Sequence, residues 1–338
     1  MACHTYRVTS GCKQNMSKDV VNIGRGVTLI RVDNGGRFRP TNCLLIDSEA
    51  GLILIDPGAD SESNIKAITS AAKQMGYPEK KVMAAFATHG HPDHVGCFER
   101  VQTAFDCECY VHPLDFPLAR SFPAHFKKVM AMLTTSGYVS REEPEGDLLG
   151  RLLDGVGDQL EARVKIMELT DETAGVYGLS LVETPGHTMG SVSLLPSVNP
   201  GVIFVGDTVL PTLTAFLTSV DEFFRSMAVL RASSPRILVP GHGELLSPAL
   251  DWINRMESKY RSRVEQVIAA AQPAMNLSRA RTLIYGDLRD NLDQVGERLV
   301  AMQLAQTLGY LKYGVTKGYF VEDRSDGIVR FRKAERAA

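Results

Sequence analysis

The sequence has no apolar run near the roughly 18 residues that a membrane-spanning helix requires. Val82-Met-Ala-Ala-Phe-Ala87 is among the longest, so no membrane partner is expected. Nor is there a charge excess of one sign: 37 Lys and Arg stand against 39 Asp and Glu, a formal net charge of −2. That balance excludes a chain-wide field for nucleic acid or anionic lipid, although a local patch escapes the count. The opening stretch MACHTYRVTSGCKQ lacks the apolar core of a secretory signal, and a cytoplasmic location is expected. Internal repeats and low-complexity segments are missing. Cysteine is sparse: Cys3, Cys12, Cys43, Cys97, Cys107 and Cys109 all lie in the first third. Without an export signal these read as reduced packing residues, and one residue between Cys107 and Cys109 is too few for a structural zinc knuckle.

What is present is an ordinary globular composition, 44% hydrophobic and 22% charged over 338 residues. At about 150 residues per domain, that length suggests two. The first half reads as strands separated by turns. Val27–Val32 runs into Asp33-Asn-Gly-Gly36, Asn42–Ile46 into Asp47-Ser-Glu-Ala-Gly51, and Leu52–Ile55 follows. The last two runs are apolar on both faces, as in an inner sheet layer. Ile65, Ile68, Ala72 and Met75 recur at helical spacing, with Gly76 placed to end that helix. A buried strand, Val82–Ala87, delivers the chain to Thr88-His89, and Tyr110-Val111 reads as a short strand. The stretch 113–168 has helical character and reads as an inserted helical cap. Strand patterns return at Leu179–Val182, Ser191–Leu195, Val202–Val205 and Ile237–Val239. Beyond about residue 250 the pattern changes. Three helices (251–271, 278–285 and one carrying Val295, Leu299, Met302, Ala305 and Leu308) precede two strands, Gly318–Glu322 and Ile328–Arg332, joined by the turn Arg324–Gly327.

Histidine is scarce, eight in all, yet three occur with an aspartate inside Thr88-His-Gly-His-Pro-Asp-His-Val-Gly96, directly after a buried strand. Neutral imidazoles and carboxylates are ligands for zinc, manganese and ferrous iron. In a loop leaving a strand alternate side chains diverge, so His89 and His91 can face one ion while Asp93 and His94 face a neighbour. Three later strand ends each present one further ligand type beside a glycine: Pro185-Gly-His187, Gly206-Asp207 and Pro240-Gly-His242.

This ordered set, HxHxDH followed by His, Asp and His, resembles the metallo-β-lactamase superfamily over roughly residues 20–250. The resemblance implies an α/β fold, a four-layer αββα sandwich with the metals at one edge of two sheets. It implies that His89, His91 and His187 hold one ion, that Asp93, His94 and His242 hold a second, and that Asp207 bridges them. Asp56, in Leu54-Ile-Asp-Pro-Gly58, matches the family's structural aspartate beneath the metal loop. Residues 251–338 resemble, in layout and in patterns such as Ala305-Gln-Thr-Leu-Gly-Tyr-Leu-Lys312, the winged-helix-like domain of the lactamase-β-2-like branch, which includes an endoribonuclease. The implied organisation is a catalytic domain at 1–250, carrying the 113–168 insert, and a winged-helix-like domain at 251–338.

Two divalent ions, expected to be zinc with Fe2+ or Mn2+ as alternatives, lower the pKa of a shared water when about 3.5–4 Å apart. The expectation is a dinuclear metal-dependent hydrolase acting through a metal-bound hydroxide, with Asp93 or Asp207 passing the proton to the leaving group. A carboxylate at 207 argues against the β-lactamase subclass with cysteine there and matches the lactonase, thioesterase and phosphodiesterase branches. The expected substrate is a small ester, lactone or thioester, and Phe122, Phe126 and Phe216 are candidates for an acyl pocket. The alternative is a phosphodiesterase or endoribonuclease that uses the C-terminal domain to hold nucleic acid. Its third helix carries few cations, chiefly Arg298 and Lys312, which is thin for phosphate contacts. The apolar face of that helix suggests packing on the catalytic domain or across a homodimer.

Overall fold

Alternation along the strands divides the first sheet into two apolar faces, and each face meets a different layer. In the computed structural model, which describes residues 19–35, 39–77, 81–155, 164–211, 216–270, 274–288, 292, 294–325 and 327–334, this sheet has seven strands. In chain and spatial order they are β1 (Val20–Gly24), β2 (Val27–Val32), β3 (Thr41–Ser48), β4 (Gly51–Ile55), β5 (Val82–Phe86), β6 (Glu108–Val111) and β7 (Ile166–Glu168). The first four pair antiparallel and the last three continue parallel. Cross-strand register lines up Leu29, Leu44, Ile55, Phe86 and Tyr110 on one face. The second sheet holds β8 (Leu179–Glu183), β9 (Val192–Pro196), β10 (Val202–Gly206) and β11 (Ile237–Pro240), in the order β11-β10-β9-β8.

The inner faces of the two sheets share one core, in which Leu44, Ile55 and Phe86 meet Leu194, Phe204 and Val239. The outer face of the first sheet, with Leu45, Leu54 and Ala85, is covered by α1 (Glu62–Gln74) and α3 (Phe98–Phe105), which follows the single turn α2 (Pro92–Val95). The outer face of the second sheet, with Ile203, Val205 and Leu238, is covered from the helical side described below. Helices, sheet, sheet and helices therefore make the expected four layers.

The segment after β6 runs through α4 (Phe116–Arg120), α5 (Phe122–Thr135) and α6 (Pro144–Gly155) before β7, and α7 (Asp171–Gly175) leads into β8. The end of the stretch read as a helical insert is thus a strand: Cys109 to Val111 pair with Ile166 to Glu168. Three residues are too few to carry a period, and β7 is recognisable only through its partner. Other elements without a counterpart in the sequence reading include the edge strand β1, the helices α2, α3 and α7, and α8 (Val220–Ala232).

After α8 come β11, α9 (Ala249–Ala270), β12 (Ala274–Met275), α10 (Leu277–Tyr285), α11 (Gln294–Thr316), β13 (Phe320–Asp323) and β14 (Arg330–Lys333). β12 extends the terminal hairpin to three strands, ordered β12-β14-β13. The buried stripe of α11 is Val300, Leu304, Leu308 and Leu311, whereas Leu299, expected on the packed face, is 45% exposed. That stripe packs in one core with Met130 and Leu133 of α5, Leu148, Leu149 and Leu152 of α6, and Phe223 and Met227 of α8. Polar contacts reinforce it. Val329 N–H donates to the Gly137 carbonyl at 2.8 Å, and Ser278 Oγ donates to Glu143 at 3.1 Å.

Cys43, Cys97 and Cys109 are buried free thiols and Cys107 is half-buried. Cys3 and Cys12, the opening stretch, Gly36 of the first turn and Asp326 of the last, and the side chain of Val295 lie outside the described residues. Among the described residues, no helix is long and apolar enough to cross a membrane.

Candidate metal centre

Strand direction explains why ligands far apart in sequence meet. β9 runs antiparallel to both β8 and β10, and β10 runs parallel to β11, so β8, β10 and β11 end on the same edge. His187, Asp207 and His242 follow those ends within a few residues. The loop after β5 brings His89, His91, Asp93 and His94 to the same place. All seven side chains meet there, in three overlapping groups able to hold an ion: His89, His91 and His187; His89, His94 and Asp207; and Asp93, His94 and His242.

In the first group, His91 Nδ1 lies 2.9 Å from both His89 Nε2 and His187 Nε2. The far side of each ring fixes its tautomer. Thr88 Oγ1 donates to Asp56 at 2.7 Å, so it can only accept, at 3.1 Å, from His89 Nδ1. His187 Nδ1 donates to the Phe216 carbonyl at 2.7 Å. Both Nε2 atoms are therefore acceptors, and His91 Nδ1 can donate to only one of them. A lone pair is left over at the centre of the triad.

The other two groups, which share His94, have the same construction. His94 Nδ1 bonds Asp56 at 2.7 Å, and His242 Nδ1 donates to the Pro40 carbonyl at 3.0 Å. His242 Nε2 lies 3.3 Å from Asp93 and 3.6 Å from Asp207, while His94 Nε2 is 3.7 Å from Asp207 Oδ1. Among the described residues, His94 Nε2 and Asp207 Oδ1 are buried without a hydrogen-bond partner. Such atoms are costly unless something binds them. Two facing orphans, a nitrogen and a carboxylate oxygen, fit a divalent cation. A β-carbon on Gly241 would lie 2.3 Å from Asp207 Oδ1 and 2.8 Å from His94, so only glycine lets the backbone pass beneath them.

Electrostatics agree with the geometry. Burial, and then neighbouring imidazoles, push His89 and His91 well below the usual histidine range, keeping them neutral and ligand-ready. Burial opposes protonation of His94, but the carboxylates of Asp56, Asp93 and Asp207 outweigh it and raise the ring to about 10. Positive charge is favoured at this point, and among the described residues no acceptor stands within hydrogen-bond reach of His94 Nε2. Asp56 sits in the left-handed region at φ 51°, a strained backbone for a non-glycine residue. Its carboxylate holds the loop by accepting from Thr88 N–H at 2.7 Å as well as from Thr88 Oγ1 and His94.

Three supporting residues were not found by sequence reasoning. Buried Asp115 accepts from Gly90 N–H at 2.8 Å, Gly190 N–H at 2.9 Å and Thr188 Oγ1 at 2.6 Å, joining the His89–His91 loop to the His187 loop. Asn42 ties β3 to the His242 turn, donating from Nδ2 to the carbonyls of Pro240 and Gly243 at 2.9 and 2.8 Å. Thr41 Oγ1 donates to the Asp93 carbonyl at 2.8 Å. Thr41 and Asn42 do leave a signal, as polar residues opening a strand buried on both faces. Of the acyl-pocket candidates, Phe122 packs its ring 5.8 Å from that of His91 and stacks on Phe126 at 6.1 Å. Phe216 serves the site through its carbonyl.

Comparison with known proteins agrees with this architecture. The family model of the metallo-beta-lactamase superfamily matches residues 36–242. A beta-lactamase-like protein 2 homolog of Drosophila melanogaster is 25% identical over 258 residues, covering 75% of this chain and 76% of that protein. A probable metallo-hydrolase of Methanocaldococcus jannaschii is 24% identical over 225 residues, covering 63% of this chain and 91% of that protein. Among solved structures, a beta-lactamase domain protein from Burkholderia ambifaria aligns with a TM-score of 0.70 at 18% identity, over 93% of each chain. A metallo-beta-lactamase family protein from Thermus thermophilus aligns with a TM-score of 0.67 at 16% identity, over 92% of this chain and all of that one. With the αββα layers and the motif-bearing loops at one edge, the chain belongs to the metallo-beta-lactamase superfamily.

Proposed function

We propose that the protein is a dinuclear metal-dependent hydrolase of small esters, lactones or thioesters. The observation that carries this reading is the pair of facing orphans, His94 Nε2 and Asp207 Oδ1, inside a ring of five further imidazole and carboxylate ligands. His89, His91 and His187 would hold one ion, Asp93, His94 and His242 the other, with Asp207 between them. Imidazole with carboxylate suits zinc first, with ferrous iron and manganese as competitors. Bound there, the ions would lend Lewis acidity to an attacking water and to the substrate's carbonyl oxygen.

The chain's own part is to hold the ligands in register and to manage the proton. Asp93 or Asp207 would pass a proton to the leaving group, a role supported by their carboxylates lying 3.3 and 3.6 Å from His242 Nε2. Phe122, whose ring lies 5.8 Å from that of His91, would offer an acyl group an apolar contact beside the ligands. Residues 251–338, as a winged-helix-like unit, would serve as structural support for the insert.

Metal analysis of the purified protein with a panel of lactone, thioester and bis-phosphodiester substrates tests the reading. Two ions per chain and turnover of a carboxylic acid derivative are expected. Asp207→Ala should lower occupancy and reduce turnover by at least about a hundredfold. Full activity with intact dimetal content in that variant, or turnover of the phosphodiester alone, would overturn it.

A further inference from the structure

One flank of α9 carries cations that nothing in the metal centre uses. Arg255, Lys259 and Arg263 recur every four residues, so the stripe runs about 12 Å along the helix. The opposite flank is neutralised, with Glu257 pairing with Arg231 at 2.5 Å and with Arg261 at 2.6 Å. No described carboxylate pairs with Arg255, Lys259 or Arg263. Arg255 instead lies over the Trp252 ring at 5.1 Å, and Arg263 over Tyr285 at 5.4 Å. Burial, and then the two guanidinium groups, depress the Lys259 ammonium, as expected for a cation among cations.

A groove of about 540 Å³ lies along this stripe, lined by Trp252, Arg255, Lys259 and Ser262 on α9 and by Leu210 and Pro211 on the other side. Those last two residues follow Asp207 on the same loop. Pro211 also packs against the residue after His242, because a β-carbon on Gly243 would fall 2.7 Å from its Cγ. Pro211 therefore connects the groove to two of the ligand-bearing turns. The volume suits a small-molecule arm rather than a polymer, and unpaired arginine and lysine beside serine hydroxyls suit phosphate oxygens.

We propose that this groove binds a phosphate-bearing arm of the substrate, so that the acid derivative cleaved at the metal centre is a phosphorylated thioester or ester. The assignment rests on the hydrolase reading for the reaction but not for the binding site itself. Hydrolysis adds water across the acyl bond, giving the free acid and the thiol or alcohol that was its partner, while the phosphate groups stay intact.

Isothermal titration of the full chain with adenosine diphosphate, with and without added zinc, tests the groove. Binding is expected in both states. It should weaken as salt rises and fall at least about tenfold in the double variant Arg255→Glu, Lys259→Glu. Both side chains are exposed, and the variant should keep its circular dichroism and melting temperature. If it does not, Lys259→Gln alone carries the same comparison. Absent binding, or equal affinity in parent and variant, overturns the proposal. A single-stranded RNA decamer that binds more tightly than adenosine diphosphate, and is lost in the same variant, overturns it in favour of nucleic acid. In turnover, the kcat/KM ratio of a coenzyme A thioester to the same acyl thioester of N-acetylcysteamine should fall about tenfold in the variant. An unchanged ratio overturns the substrate class. If neither thioester is cleaved while adenosine diphosphate binding follows the expected pattern, the hydrolase reading fails and the groove assignment stands.

Discussion

At the scale of single residues, the ligands are only as good as the groups behind them, and Asp115, with as many donors as Asp56, is the one that ties two ligand loops together. Its two oxygens take three donors from two loops, and a β-carbon on Gly190 would sit 2.7 Å from Oδ1, so the contact leaves no slack. Asp115→Asn puts an amide N–H where one donor now points, and should weaken metal binding about 10–100-fold with the melting temperature little changed. Competition against a chelator measures the affinity, and parent-like affinity would remove Asp115 from the positioning set. Asp115→Ala should be worse for the fold as well, since each buried donor left unpaired costs about 1–3 kcal/mol. The seven ligand-type residues were legible in the sequence because histidine is scarce, four of them crowd into one loop after a buried strand, and the other three each sit beside glycine after a strand. Asp115 was not. It acts on Gly90, 25 positions earlier, and on Gly190, 75 positions later, and no local pattern encodes that contact.

At the scale of elements, legibility follows periodicity and length. β2, β4, β5 and β10 were readable as apolar runs bounded by turn residues, and α1 by its 3-4 spacing before Gly76. β7 and β12 are only three and two residues long, so pairing rather than propensity makes them strands. On α11 the expected apolar face was turned, because Gln306 and Thr307 are buried by satisfying their hydrogen bonds, Gln306 with Tyr310 and Tyr285 and Thr307 with the Gln303 carbonyl. A periodicity scored on hydrophobicity alone cannot anticipate that. The joint between α11, the hairpin and the end of α5 is also charged. Lys312 reaches Glu322 at 2.5 Å, and Arg324 contacts both Glu322 and the Tyr138 hydroxyl. Burial raises the Glu322 carboxyl, but Lys312 and Arg324 outweigh it and lower it below the usual 4.5. A depressed carboxylate stabilises the fold above its unfolded pKa, and the gain is lost as pH falls through the folded value. Glu322→Gln should therefore cost about 0.5–1 kcal/mol at pH 7, the modest figure reflecting half-exposed cations, and almost nothing near pH 3. Urea titrations at the two pH values decide it, and an equal cost at both would assign the effect to packing.

At the scale of the molecule, a composition shift near residue 250 suggests two domains, but the core does not divide there. Ile203, Val205 and Leu238 of the second sheet, Leu133 and Leu149 of the insert, and Ile253, Leu304, Leu308 and Phe331 beyond residue 250 are contiguous buried neighbours. A buried ion pair, Arg281 with Glu145 at 3.7 Å, and the stacked rings of Tyr138 and Phe331 cross the same boundary. Removing 251–338 would strip α5, α6 and α8 of their cover, exposing Met130, Leu133, Leu148, Phe223 and Met227. At about 25 cal/mol per Å² of apolar surface, several such side chains amount to a loss comparable with the whole stability of an ordinary domain. A 1–250 fragment should therefore aggregate or melt without a cooperative transition, whereas the full chain should melt in a single step by calorimetry. The measurement discriminates because the metal loops offer a second readout. If the joint is structural, added zinc should restore little of the fragment's order, since the lost cover lies on the outer face of the second sheet and metal ligands cannot replace it. A fragment that melts cooperatively at the parent temperature would instead mean that the catalytic sandwich is complete by residue 250, and that the helices and hairpin beyond it are an attached module.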